Sequence, residues 1–308
     1  MMLMLMFSSQ TCLAASLREK TAERRLQQSD MTQDDGASGR ADLSAGVKVI
    51  RDVSYGAHPR QKFDVYLPQL AYAEMPVILM VHGGAWAFGD KAARGVVQNK
   101  VAHWVDRGFI FISMNYRLLP DTMPLQQAND VANALAVAQS LSSRWGGDPH
   151  QFILMGHSAG AHLVSLLAAS PTLSGNVKVL PWLGTIALDS AVYDLTTIMA
   201  AKHYRFYDSA FGDQPANWQA NSPLQLLDTV GAPFLAVCST IRPDLPCQQA
   251  GNFVARAKAL GRQAQQLPEA LSHKEINEQL GAENGYTAAV DQFIASLHPG
   301  LSARLGKK

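Results

Sequence analysis

The sequence predicts an α/β domain, a mostly parallel sheet with helices on both faces. Three observations carry that prediction. Short continuous apolar runs, such as Pro76-Val77-Ile78-Leu79-Met80-Val81, mark strands buried on both faces. Helix-length stretches alternate with those runs, the order that covers a parallel sheet on both sides. Finally, Gly156-His157-Ser158-Ala159-Gly160 stands between an apolar run at residues 152–155 and an apolar stretch at 161–169, which reads as strand, sharp turn, helix.

Residues 47–53 and 62–67 read as two strands, the second alternating Phe63, Val65 and Leu67 on one face. The run at 76–81 stops at His82-Gly83-Gly84, and a second buried run, 108–113, stops at Asn115-Tyr116-Arg117. From Pro124 to Trp145 the residues Leu125, Ala128, Val131, Ala132, Leu135, Ala138 and Leu141 recur at helical spacing, and Gly146-Gly147 ends the helix. After the turn at Ser158 and its helix, strands follow at 182–188 and 233–238, a helix at 253–260, a polar edge strand at 263–267 and a closing helix at 286–297. Aromatic residues crowd the stretch between the last two buried strands (Tyr204, Phe206, Tyr207, Phe211, Trp218); they either line a substrate pocket or form the core of an extra helical segment. The expected organisation is a single domain over 45–300 with a small lid around 191–230, a polar segment before it and a tail at 301–308.

Of the 308 residues, 47% are hydrophobic and 17% charged, the composition of a globular chain with ample core. A net charge of +1 gives no electrostatic case for nucleic acid or an acidic membrane surface. No apolar run reaches the ~18 residues a membrane span needs. Residues 1–7 are apolar and Cys12-Leu13-Ala14-Ala15 offers small residues for cleavage, so the start resembles a secretory signal peptide without a basic leader. Residues 16–44 are polar and Gln-rich, with little to bury. Export leaves Cys238 and Cys247 as an even pair, expected to bridge in an oxidising compartment. No Cys/His spacing resembles a zinc site, so no metal is expected.

A serine hydroxyl attacks a carbonyl only with a base, an acid to orient the base and donors for the oxyanion. Small residues at both ends of the turn at Ser158 allow the tight reversal that exposes its hydroxyl. The expected chain order is serine, acid, histidine. Asp244 is the only carboxylate just after the strand ending at Cys238, and His273 follows it, whereas His162 and His203 precede it. Gly83 and Gly84, free of side chains, and Ala159, next to the nucleophile, are the expected oxyanion donors through their backbone N–H groups. His82 is expected to brace that loop, His157 to pack beneath the turn, and Arg117 and Asp130 to be either an internal ion pair or unrelated surface groups.

His82-Gly83-Gly84-Ala85-Trp86, Asn115-Tyr116-Arg117-Leu118-Leu119-Pro120-Asp121, Gly146-Gly147-Asp148-Pro149 and Gly156-His157-Ser158-Ala159-Gly160 together resemble the hormone-sensitive-lipase-like α/β-hydrolases. The H-G-G-x-W form is similar to the branch containing esterases and kynurenine formamidases, as are Ser190-Ala191-Val192-Tyr193-Asp194-Leu195 and Ser222-Pro223-Leu224. The resemblance implies the α/β-hydrolase fold and a cofactor-free hydrolase of uncharged carboxylic esters working through an acyl-enzyme. Its alternatives are an aryl-formamide hydrolase of the formylkynurenine type and a binding module without turnover. Two departures stand out. The family's acid loop, H-G-x-x-D-x-x-V-P, is replaced by Cys238-Ser239-Thr240-Ile241-Arg242-Pro243-Asp244-Leu245-Pro246, and its G-H-x-F by Ser272-His273-Lys274-Glu275. Glu269, four residues before His273, is the substitute acid.

Overall fold

The computed structural model describes residues 39, 41–43, 46–70, 73–174, 177–190 and 192–306. Of the expected leader and polar segment at 1–44, residues 1–38, 40 and 44, with Cys12, lie outside them. Eight strands form one sheet in the order β1-β2-β4-β3-β5-β6-β7-β8. They are β1 (Lys48–Ser54), β2 (Lys62–Leu67), β3 (Met75–Val81), β4 (Ile110–Met114), β5 (Gly147–His157), β6 (Gly184–Leu188), β7 (Phe234–Ser239) and β8 (Ala264–Glu269). β1 and β2 pair antiparallel and β2 runs antiparallel to β4; from β4 across to β8 every pairing is parallel.

The continuous apolar runs are explained by two cores, one on each face. Along β3, Val77, Leu79 and Val81 point into one core, with Val131 and Leu135 of α2 (Pro124–Leu141) and Leu163 of α3 (Ala159–Ala169). Ile78 and Met80 point into the other, with Val97, Val101 and Trp104 of α1 (Arg94–Trp104) and Phe293 and Ile294 of α10 (Gly285–Leu297). Period-2 alternation therefore has no polar phase, because both faces are covered. Each such side chain, fully buried, contributes roughly 1.5–3 kcal/mol.

Between β6 and β7 the chain makes four short helices, α4 (Leu195–Met199), α5 (Arg205–Phe211), α6 (Pro215–Ala220) and α7 (Pro223–Leu226). After β7 come α8 (Pro246–Ala259), β8, α9 (His273–Glu278), α10 and α11 (Pro299–Leu305). The structure differs from the expectation in three elements. α1 was not expected: Gly95 sits in its first turn and no side chain caps its start. α9 fills a stretch to which the sequence assigns no element, and α11 extends the ordered chain into the expected tail. At the edges, the β1 register shifts between Ile50 and Val53, where Arg51 and Asp52 are exposed. β8 carries exposed Gln265 and Gln266 and has Pro268 opposite Cys238. No helix among the described residues is long and apolar enough to cross a membrane.

Candidate active site

Five strand ends meet at the carboxyl edge of the sheet, where ligands of parallel sheets bind. β5 delivers Ser158, β3 the loop from His82, β6 Asp189, β7 the loop with Arg242 and Asp244, and β8 the turn to His273.

Ser158 has φ 54° and ψ −117°, left-handed backbone on a non-glycine residue. Such strain persists only where the surroundings enforce it. Here Ser158 N donates to the Leu188 carbonyl at 2.9 Å, and α3 runs so close to β3 that a Cβ on Gly160 would stand 2.5 Å from the His82 carbonyl oxygen. Both glycines of the G-x-S-x-G turn are therefore needed for close approach, since a Cβ on Gly156 would meet the Gly160 backbone.

His273 is the first residue of α9 and is 3% exposed. Its Nδ1 lies 2.6 Å from Oδ2 of Asp189, a fully buried residue that directly follows β6. Asp189 also accepts from Ser239 N at 2.8 Å and from Arg242 NH1 at 2.6 Å. Burial alone would raise the Asp189 pKa, but the Arg242 guanidinium and the His273 hydrogen bond hold it well below the carboxylate range. An ionised carboxylate only accepts, so His273 Nδ1 carries the proton and Nε2 presents its lone pair. Nε2 is buried without a hydrogen-bond partner. Burial first, and then the Arg242 charge, push the His273 pKa down to about 4.

Asp244 does not reach the imidazole, contrary to the expectation from chain order. Its carboxylate is turned to Arg242, accepting from Nε at 3.0 Å and NH2 at 2.5 Å. The physical reason lies in the loop: Leu245 turns left-handed (φ 53°) before Pro246 starts α8, and the buried Arg242 side chain stands between Asp244 and His273, 2.8 Å from Nδ1. A sequence signal for this arrangement exists. Anchoring the pattern D-x-x-V-P on Pro246 puts Arg242, not Asp244, at the acid's position. Glu269 is not part of the cluster either; its carbonyl accepts from Thr240 N at 2.9 Å.

The loop after β3 is wound tightly. Gly84 (φ 104°), Ala85 (φ 49°) and Trp86 (φ 60°) are all left-handed, and the Gly84 carbonyl accepts from Ala87 and Phe88 N–H at 3.0 and 2.9 Å. A Cβ on Gly84 would stand 2.5 Å from the Phe88 carbonyl oxygen, so the loop's own return demands glycine there. His82 braces it: its ring stacks on Tyr116 at 4.5 Å and Nδ1 bonds the Gly83 carbonyl at 2.7 Å. The residues of this loop that border the pocket are Ala85 and Trp86, together with Ser158 and Ala159.

The remaining wall of the pocket is Asp189, Ser190, Val192, Phe206, Tyr207, Arg242 and His273. The crowded aromatics thus do both things expected of them. Phe206 and Tyr207 line the pocket, while Phe211 is buried and packs edge-on against Trp86 at 4.8 Å. His162 ties three parts together: Trp86 Nε1 donates to its Nδ1 at 3.3 Å and its Nε2 bonds the Asn221 carbonyl at 2.8 Å. His157 packs its ring on His273 at 4.5 Å and bonds the His273 carbonyl at 3.1 Å. Away from the pocket, Arg117 and Asp130 form an internal pair, NH2 to Oδ1 at 2.7 Å. Cys238 and Cys247 are disulfide-bonded, closing the loop that carries Arg242 and Asp244.

The BD-FAE family model matches residues 63–256. The probable carboxylic ester hydrolase LipM of Mycobacterium tuberculosis is 30% identical over 271 residues, covering 80% of this chain and 61% of that protein. Esterase LipC of the same organism is 28% identical over 267 residues, 80% and 65% of the two chains. The probable isoprenylcysteine alpha-carbonyl methylesterase ICME of Oryza sativa is 35% identical over 118 residues, 38% of this chain and 28% of that one. The chain spans less than two thirds of the length of these curated relatives. Among solved structures, esterase B of Lactobacillus rhamnosis superposes with a TM-score of 0.67 at 20% identity, covering 97% of this chain and 95% of that one. A truncated carbohydrate esterase from gut microbiota gives 0.69 at 16% identity, covering 87% and 100%. The fold is that of the α/β-hydrolases.

Proposed function

Because the chain belongs to the BD-FAE family, we propose that it is a serine hydrolase of uncharged carboxylic esters, with Ser158 as nucleophile, His273 as base and Asp189 as the acid. The observation that carries this reading is the buried pair His273 Nδ1–Asp189 Oδ2 at 2.6 Å, with the strained Ser158 and His273 lining one pocket and His273 Nε2 making no hydrogen bond. The relatives named for ester hydrolysis support it.

In this mechanism His273 Nε2 takes the Ser158 proton as Oγ attacks the ester carbonyl. Asp189 keeps the productive tautomer and stabilises the imidazolium. Backbone N–H groups of the loop ahead of Trp86, from the stretch Gly83–Ala85, and that of Ala159 receive the oxyanion. Losing one such donor typically costs about 3 kcal/mol of transition-state stabilisation. The imidazolium then protonates the leaving alcohol, and water releases the acyl group by the same relay. The H-G-G-x-W loop at His82–Trp86 supports a relation to the hormone-sensitive-lipase-like branch. The disulfide supports export, since such a bridge persists in an oxidising compartment.

A fluorophosphonate probe should label the wild-type chain and fail on Ser158→Ala. Assay of a short-chain nitrophenyl ester beside formylkynurenine then gives ester turnover as the expected outcome. Ester hydrolysis by Ser158→Ala at the wild-type rate refutes the assignment, and formylkynurenine turnover without ester turnover replaces it by a formamidase.

A further inference from the structure

Arg242 is unexpected machinery for a hydrolase. It fills the place where the family pattern puts a carboxylate, is 7% exposed, and touches both members of the proposed acid–base pair. NH1 contacts Asp189 Oδ2 at 2.6 Å, the Asp189 carbonyl at 3.2 Å and His273 Nδ1 at 2.8 Å. Nε and NH2 grip Asp244 in the bidentate geometry that only a guanidinium provides. The loop holding Arg242 and Asp244 is closed by the Cys238–Cys247 bridge.

We propose that Arg242 is a positioning residue of the relay: anchored on Asp244, it fixes the Asp189 carboxylate against His273, while Asp244 offsets its charge so that the imidazolium can form. The inference rests on the triad reading of the preceding subsection. Its logic is a charge count. An ordinary serine–histidine–aspartate relay holds one negative charge beside a neutral imidazole and becomes neutral when the imidazole is protonated. A buried arginine beside the aspartate removes that charge and opposes the imidazolium. A second aspartate on the arginine restores it. Asp189, Arg242, Asp244 and neutral His273 again sum to one negative charge, so the relay keeps its balance with the acid drawn from a different strand.

The elements that meet at His273 carry these charged or titratable groups. His157 comes from β5, Asp189 from the end of β6, Arg242 and Asp244 from the loop after β7, Tyr207 from α5, Glu269 from the end of β8 and Tyr286 from α10; Lys274, Glu275 and Glu278 share its own helix. Burial holds the phenols of Tyr207 and Tyr286 well above their ordinary value, so both stay neutral. A charge on His157 would act on His273 in the same direction as Arg242. Substitutions of Arg242 and Asp244 leave all the other groups in place, and the count predicts opposite consequences for the two.

The test is the pH profile of kcat/KM for p-nitrophenyl acetate from about pH 3 to pH 9 on the full chain. Arg242→Met leaves two carboxylates near the imidazole, so the midpoint of its acid limb moves up by about one pH unit or more. Asp244→Asn leaves the arginine uncompensated, so its limb stays or moves down while the rate at pH 8 falls about tenfold. The double variant removes a cation and an anion together, and its limb returns toward the wild-type position. An Arg242→Met limb that does not move, or an Asp244→Asn limb that moves up, overturns the proposal. If Arg242→Met does not fold, Asp244→Asn decides by the same criterion. Asp189→Asn is the separate control: wild-type turnover there brings down the triad reading itself, whereas its loss with an unmoved Arg242→Met limb or an upward Asp244→Asn limb brings down only the charge-balance role.

Discussion

Asp189 shows what one residue's environment decides. It satisfies the chain order serine, acid, histidine as well as Asp244 does. The sequence does not single it out, because the acid is expected one strand later and nothing local marks a strand-end aspartate as buried. Its contact with His273 exists only where β6 and β8, separated by β7, bring the two together across 84 positions of chain. Ser158 and His273 were legible because the turn at Ser158 has a local steric signature and few histidines compete. Asp189→Asn should lower kcat by about four orders of magnitude with KM little changed, as loss of the orienting charge does in such relays. Asp244→Asn should cost about tenfold at pH 8, and Glu269→Gln should leave turnover at the wild-type level. Steady-state kinetics on the three variants separates the acids, and a larger loss in Asp244→Asn than in Asp189→Asn contradicts the geometry.

Among the elements, α9 and the loop after β7 set the site's precision. α9 has only six residues, too short to be stable alone. It is clamped at both ends. Ser272 and Glu275 form a capping box at its start. At its end, Tyr286 Oη donates to the Ile276 carbonyl at 3.1 Å, Lys100 Nζ to the Asn277 carbonyl at 2.5 Å and Asn99 Nδ2 to the Glu278 carbonyl at 2.6 Å. The Lys100 charge also complements the helix dipole at that end. Lys100 and Asn99 come from α1, 177 and 179 positions away from the carbonyls they hold, so these clamps are not legible in the helix's own stretch of sequence. Lys100→Met should cost about 2 kcal/mol of stability by stranding buried carbonyls. Because His273 opens the same helix, turnover should fall too; a melting temperature and kcat both at wild-type values would show that the clamp is idle. Replacing both Cys238 and Cys247 by serine should remove roughly 2–3 kcal/mol, as the chain-entropy treatment gives for so short a loop. Chemical denaturation of the oxidised and double-serine proteins measures it.

Across the whole molecule, the sheet was legible because a strand covered on both faces must be apolar throughout, and such runs are rare elsewhere. α1 was not, because its glycine and uncapped start blur a helical pattern that only its seat under the sheet stabilises. The two covered faces also govern the response to acid. His162 and His273 are buried, and burial pushes each down to about 4 from an ordinary 6.5. The unfolded chain therefore binds protons that the folded one refuses, so stability is full above about pH 6.5 and falls toward pH 4, by roughly 3 kcal/mol for each histidine. Asp189, held low, adds stability above the ordinary carboxylate range that is lost only at still lower pH. Urea midpoints should fall steadily from pH 7 to pH 4.5, and a flat profile would mean that these histidines are not buried neutral.

Among the described residues β1 and β8 are the edge strands of the sheet, and they carry a consequence for the protein in bulk. A strand with unpaired N–H and C=O groups is a template on which another chain can crystallise as a further strand. β1 breaks its own ruler between Ile50 and Val53 and turns Arg51 and Asp52 outward, so an incoming strand meets a kink and a charge instead of a straight row of partners. β8 offers Pro268, which has no N–H to give, flanked by exposed amides. Both ends of the sheet are thus poor seeds for fibrillar growth.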